Sequence, residues 1–461
     1  MHAAMSLSLT SAILGAFLAL VLGVGLWGFG KSRSMEAFLV AERRVGPAAL
    51  LATLLATILG ASSTVGLAGL VYSRGLTGIW WLLVGVPGLV GLATLAPRLT
   101  PAGVYTLPQL MERWYGKGVR RASAALIAAA WLGVVAAQLG AAGSVLAAGF
   151  GGRGGVWTGV AAGVFVLYTA AGGQRSVIRT DVLQALVIAS GLALAAGFAL
   201  RTTGGLRALT RALPADHLRF PLSQGFGTVD LVELLLVVGA TYLVGPDMLS
   251  RLFCSRSVSS ARRAFLSSAV ALPVLAGLVT LLGLLARVLL PDIGARQSAS
   301  ALPLLASVVL PALPSALLSL ALLSAFLSSA DTTLLTLASV VALDLLPRSR
   351  QSVPGVRVAV LGGGLASLAV ALWSGGIVSS LLLGYTVFTC GLAVPVLAGM
   401  VGHPMRPGAA LASAALGGGM GLAGRLAGVP LLVIGGFALC ALVWAADTAL
   451  RGAARSRRDA Q

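Results

Sequence analysis

Ala56-Thr57-Ile58-Leu59-Gly60-Ala61-Ser62-Ser63-Thr64-Val65-Gly66 interrupts an apolar stretch running over residues 45–72. The stretch is long enough to cross a bilayer core about 30 Å thick, which takes roughly 20 apolar residues in a helix. Its middle invites a break. Glycine costs a helix interior about 1 kcal/mol relative to alanine, and Ser and Thr offer the backbone other partners, so the helix can open at Gly60 and free carbonyl groups. Close helix packing through small residues explains the same pattern, and this segment alone does not separate the two readings. A second polar block, Ser324-Ala325-Phe326-Leu327-Ser328-Ser329-Ala330-Asp331-Thr332-Thr333, lies far downstream in a leucine-rich run. Its hydroxyls, combined with freed carbonyls, would make an all-oxygen cage suited to a hard monovalent cation; serines bonding back to carbonyls one turn earlier is the plainer alternative.

Outward from these blocks the chain stays apolar. Of its 461 residues 58% are hydrophobic and 10% charged, with a mean hydropathy of +0.98. A soluble chain carries about 25% charged residues, so a water-soluble fold is excluded. Hydropathy predicts thirteen spans, over residues 6–30, 45–72, 77–96, 122–150, 156–171, 177–200, 231–249, 264–290, 312–346, 356–373, 377–401, 409–426 and 429–450. Helices are expected throughout, because each segment must satisfy its own backbone in lipid and the runs are far longer than barrel strands. The first run exceeds a secretory h-region and no basic residue precedes it, so it reads as a transmembrane helix.

The net charge of +19 would suggest a nucleic-acid partner if the basic residues sat on a soluble surface. With the N-terminus outside, 23 of the 32 Lys and Arg residues fall on the cytoplasmic side, in pairs such as Arg120 with Arg121 and Arg262 with Arg263. That asymmetry is the positive-inside rule; it puts the C-terminus in the cytosol and reports topology, not nucleic acid. Residues 201–230 form the longest polar connection, expected outside with a surface helix. The basic tail 451–461 is expected to be disordered and close to anionic lipid headgroups.

Catalytic chemistry finds no support. His2, His217 and His403 lack metal-ligand spacing, and glycine pairs such as Gly172-Gly173 are not followed by the Lys-Ser/Thr of a phosphate loop. Cys254, Cys390 and Cys440 are too few and scattered for a disulfide framework and read as interior residues. No cofactor is expected. Ionisable residues within spans tell more, since each costs at least about 2.5 kcal/mol near a helix centre. Asp181, Glu233 and Asp331 are the candidates, although Asp181 and Glu233 also fit helix ends.

Four blocks in order resemble the sodium:solute symporter family: Ala37-Phe38-Leu39-Val40-Ala41-Glu42-Arg43; Tyr105-Thr106-Leu107-Pro108 with Glu112-Arg113; Gly172-Gly173 with Ile178-Arg179-Thr180-Asp181-Val182-Leu183-Gln184; and Ser328-Ser329-Ala330-Asp331. The resemblance implies an all-α membrane protein of leucine-transporter type, with two inverted five-helix repeats in a core over residues 35–405. One helix before it (1–34) and two after it (406–450) flank the core. It also implies a sodium site made by the backbone carbonyls of Ala56, Leu59 and Ala325 and the hydroxyls of Ser328 and Ser329. Asp181 resembles the family's inner aspartate, which guides sodium out or helps hold a second ion. The segment Gly239 to Pro246 with Arg251-Leu252-Phe253 looks closest to proline permeases, which implies a solute cavity lined by Gly60, Ala61, Ser62, Gln138 and Tyr242. Ile58 stands where proline permeases carry an acid, and Ser62 and Ser63 replace the polar pair of sugar members, so the solute is not assigned.

The expectation is therefore a sodium-coupled importer of a small polar solute, an amino acid, carboxylate or vitamin-like acid, in the inner membrane. Two others stay open: proton coupling on the same fold, which a titratable group among the ligands would favour, and a non-transporting sensor, for which eleven residues after Leu450 leave little room.

Overall fold

The computed structural model describes residues 2–28, 34–100, 103–347, 349, 351–373 and 377–459. Among the described residues no strand forms, and helices account for nearly all of the chain. The principal helices are α1 (His2–Gly28), α2 (Pro47–Ile58), α3 (Leu67–Arg74), α4 (Gly85–Leu99), α5 (Lys117–Phe150), α6 (Gly154–Thr202) and α7 (Ala240–Val244). They continue with α8 (Pro246–Cys254), α9 (Val258–Leu289), α10 (Ala312–Val340), α11 (Val353–Trp373), α12 (Ile377–Met400), α13 (Pro407–Ala427) and α14 (Pro430–Asp459). Among the described residues, all thirteen expected spans fall on helices. Nine helical stretches among the described residues are long and apolar enough to cross a membrane, some of them holding two expected spans.

Three interruptions shape the bundle, and each falls on glycine. α2 ends at Ile58, and after a bend at Leu59 and Gly60 the chain resumes through a π-helical turn, Ser62–Gly66, into α3. α6 contains Gly173 at φ 61°, a left-handed conformation that separates the expected fifth and sixth spans; a β-carbon there would also strike Phe38. α7 stops at Gly245, whose extended backbone (φ −65°, ψ 136°) turns the chain into α8 with Pro246 at its first position.

α10 runs through the centre, packed against α1, α2, α5 and α6, and every side chain from Ala321 to Val340 is buried. Between lipid-immersed helices there is no hydrophobic driving force, so close fit through small residues must hold them. Gly191 supplies such a point: a β-carbon there would lie 2.6 Å from Ala321 and 2.7 Å from the Leu317 carbonyl. Outward faces are apolar, with Val270 and Val274 on α9 and Leu365 on α11 all exposed, the ordinary arrangement against acyl chains.

Two features differ from expectation. The basic tail is helical through Asp459, because its Ala and Arg residues are strong helix formers that extend α14. Between α9 and α10 an unforeseen short helix, Ala301–Leu304, passes into the turn Leu305–Val309; it was too short for a hydropathy window. The 201–230 connection holds a helix, Leu206–Ala212, and a 3₁₀ turn, Ala215–Leu218.

Candidate functional site

The break at Gly60 rearranges a turn of backbone hydrogen bonding. The Gly60 amide donates to the Ile58 carbonyl at 3.0 Å, not back to Ala56. The Ala61 amide donates instead to Gln138 Oε1 on α5 at 2.8 Å, leaving the Thr57 carbonyl without its helical donor. Ser329 of α10 takes that place, its hydroxyl donating to the Thr57 carbonyl at 2.8 Å. Space is tight: a β-carbon on Gly60 would meet Ser329 Oγ at 2.6 Å and the Gln138 amide at 2.9 Å. Only glycine lets these three elements close on one point. The Ser63 hydroxyl completes the turn by bonding the Ile58 carbonyl, and Thr64 Oγ1 donates to the Gly60 carbonyl at 2.8 Å.

Asp181 is not at a helix end. It lies on the second half of α6, fully buried, and gathers donors from three other helices. Ser328 Oγ donates to its Oδ1 at 2.5 Å; Thr53 and Arg251 bond its Oδ2, the latter at 3.2 Å. Arg251 of α8 is equally buried and also reaches Thr57 Oγ1 at 3.1 Å and the Thr332 hydroxyl. Counted by sequence with the cytoplasmic charges, Arg251 sits inside the bundle because the break at Gly245 carries α8 inward. Neighbouring serines therefore face different ways: Ser329 towards the broken helix, Ser328 towards Asp181. A serine hydroxyl that donates its only proton keeps its lone pairs for an acceptor role. Asp331 faces away, taking a hydrogen bond from Thr169 at 2.8 Å, and Glu233 pairs with Arg425 at 2.6 Å.

A cavity of about 50 Å³ lies beside the break, between α5, α7, α8 and α10. Gly60, Ser62, Gln138 and Tyr242, expected at a solute cavity, line it, and so does Ser329, expected as a cation ligand. Ala61 does not: it is fully buried and contributes its amide to Gln138. Ala56, Leu59, Ala325 and Ser328 are buried around the break outside the cavity wall. Trp81, Trp131, Tyr385 and Asp247 are also among the lining residues and were not foreseen. Asp247 lay within the seventh expected span, so the rarity of acids in spans was the signal available. A second cavity, towards the 201–230 connection, contains the Glu233–Arg425 pair and shares Trp81 with the first.

A many-span helical protein with two discontinuous helices meeting at a buried polar cavity has the build of a membrane transporter of leucine-transporter type. The chain belongs to the sodium:solute symporter family, whose profile matches residues 38–354. It is 30% identical over 207 residues to sodium/glucose cotransporter 2 of Rattus norvegicus, a match covering 43% of this chain and 30% of that one. Over 301 residues it is 23% identical to a sodium/glucose cotransporter of Vibrio parahaemolyticus, covering 61% of this chain and 55% of the relative. The matches thus span 30% and 55% of these relatives' lengths. Among solved structures, a sodium-coupled sialic acid symporter in a substrate-bound outward-open state shares the fold with a TM-score of 0.76 at 19% identity, over 94% of this chain and 98% of that one.

Proposed function

We propose that this multi-pass membrane protein is a sodium-coupled symporter that imports a small polar organic solute by alternating access. The observation that carries the reading is the Ser329 hydroxyl bonded to the Thr57 carbonyl across the Gly60 break. An intact helix holds its carbonyls in its own ladder; here the carbonyls of the broken turn and hydroxyls from a second helix converge, which is the donor set a hard cation needs. The carbonyls of Ala56, Leu59 and Ala325 and the hydroxyls of Ser328 and Ser329 form the proposed sodium site. Asp181, bonded to Ser328, lies on the route by which the ion leaves. The solute occupies the adjoining cavity beside Gly60, Ser62, Gln138 and Tyr242, with the Ala61 amide fixing the Gln138 side chain.

Sodium binding from outside orders the broken turn and favours an outward-open state; solute then permits the two repeats to rock inward. With one sodium and a neutral solute, a 100 mV potential supplies about 2.3 kcal/mol, and a tenfold sodium gradient about 1.4 kcal/mol more. Together they sustain accumulation of roughly several hundredfold. The positive-inside charge pattern supports placement in the inner membrane with the N-terminus outside and the C-terminus cytoplasmic. Binding of ²²Na⁺ to the purified protein tests the ion site without knowledge of the solute. Saturable binding displaced by NaCl but not KCl, and lost in Ser329→Ala, is the expected result. Binding that potassium displaces equally well, or that survives the substitution, would remove sodium from this site.

A further inference from the structure

Asp247 is, among the described residues, the single formally charged one on the wall of the solute cavity. It occupies the second position of α8, where the break at Gly245 turns the chain into the cavity, and it is 8% exposed. Both carboxylate oxygens accept from the same donor, Trp131 Nε1, at 2.9 and 3.0 Å. An indole N–H is neutral, so it orients the carboxylate without balancing its charge. Among the described residues no basic side chain forms an ion pair with Asp247. Arg251, four residues along the same helix, makes its hydrogen bonds through Nη2 alone, to Asp181, Thr57 and Thr332, and acts on Asp247 only as a nearby charge without direct contact. A buried carboxylate with no cation in direct contact is costly, and proteins retain one where a ligand supplies the missing contact.

The rest of the wall fits that ligand. Trp81, Trp131, Tyr242 and Tyr385 bring four aromatic rings to one small cavity, the Trp131 and Tyr385 centroids lying 6.2 Å apart. Aromatic faces attract cations most strongly when desolvated, and a ring of them with a carboxylate is the standard means of holding an ammonium group. A sugar or a simple carboxylate would leave Asp247 unpaired, and an anion would meet repulsion as well.

Resting on the reading of this cavity as the solute site, we infer that the solute carries an ammonium group, protonated or quaternary, which Asp247 and the aromatic wall of Trp131, Tyr385, Tyr242 and Trp81 receive. The inference chooses among amino-acid, carboxylate and sugar-type solutes by charge. Gln138 and Ser62 remain for the solute's polar end.

Matched probes test it. Thermal unfolding of the purified protein in NaCl is recorded with choline and L-proline, with their uncharged or anionic carbon isosteres 3,3-dimethyl-1-butanol and cyclopentanecarboxylate, and with glucose. At least one ammonium compound is expected to raise the melting temperature in sodium while its isostere does not. Asp247→Asn is expected to weaken that compound about 30-fold or more, the usual penalty for removing one member of a buried charged contact. The melting response to sodium alone should persist in the variant and serves as its folding control. Trp131→Phe, which frees the carboxylate but keeps a ring, should weaken binding less. Stabilisation by glucose or by the isosteres alone, by none of the probes, or by ammonium compounds equally in Asp247→Asn would overturn the inference while leaving sodium coupling intact. Loss of the sodium response in the wild type would instead remove the functional reading beneath it.

Discussion

Arg251 and Asp181 are the residues on which the interior depends most. Both side chains are fully buried, and their contact at 3.2 Å is the one direct ion pair either makes among the described residues. Removing one member of such a pair strands the other in a low-dielectric interior, at a cost of about 3–5 kcal/mol. Arg251→Met should therefore unfold in detergent at markedly lower temperature, whereas Arg251→Met with Asp181→Asn should regain most of the loss, because no bare charge remains. A double variant as unstable as the single one would show that the stem of Arg251 packs the fold and its charge does not. The pair also bears on Ser328, whose hydroxyl is oriented by Asp181, so the recovered double variant should bind sodium more weakly.

The broken helices explain why certain short motifs stand where they do. Ala41, Glu42 and Arg43 all have positive φ, at 47°, 56° and 53°, conformations that cost non-glycine residues about 1–3 kcal/mol each. The turn is offset by what Arg43 then reaches, the carbonyls of Phe253 at 3.2 Å and Val104 at 3.0 Å. Beside it the Val45 amide donates to the Cys254 carbonyl at 3.1 Å and the Arg256 amide to the Val45 carbonyl at 3.0 Å. The start of α2 is thus stitched to the end of α8, the two discontinuous helices joined on one side of the cavity. The Thr106 and Glu112 motif closes the same side: Thr106 donates to Asp344 at 2.8 Å, and Arg120 bridges Glu112 and Asp344. If the repeats rock, this stitch has to part in every cycle. Cysteines at Val45 and Ser255, which face each other across the bridge, introduced with Cys254→Ala, should stop sodium-driven uptake into proteoliposomes when oxidised and restore it when reduced. Uptake unchanged by a formed cross-link would mean that this contact does not move during transport.

For the whole molecule, length and hydropathy were enough to place the long spans, because a span must be largely apolar whatever its neighbours, but not the short helix Ala301–Leu304, which no span-length window registers. The break at Gly60 was legible for a similar reason: glycine between Ser and Thr weakens a helix locally, and no distant residue is needed to see it. Ser329 became legible only through resemblance, since a serine in a leucine-rich helix has a plainer use until the opposing carbonyl is known. Asp247 lay within an expected span, where an acid is a signal in itself, but its use lies in Trp131, 116 residues away, which no linear pattern displays. Arg251 escaped notice because hydropathy ended the span at Leu249 and assigned the next charge to the cytosol.

Because the proposed site exists only in the folded bundle, sodium must stabilise that bundle if the central reading is correct. The most direct measurement is thermal unfolding of the detergent-purified protein in NaCl against KCl at equal ionic strength, with Ser329→Ala alongside. Sodium at about 100 times its dissociation constant should add roughly 2.7 kcal/mol of stability, seen as a melting temperature higher in sodium than in potassium for the wild type and equal for the variant. Equal melting of the wild type in the two salts across a wide concentration range would contradict the account.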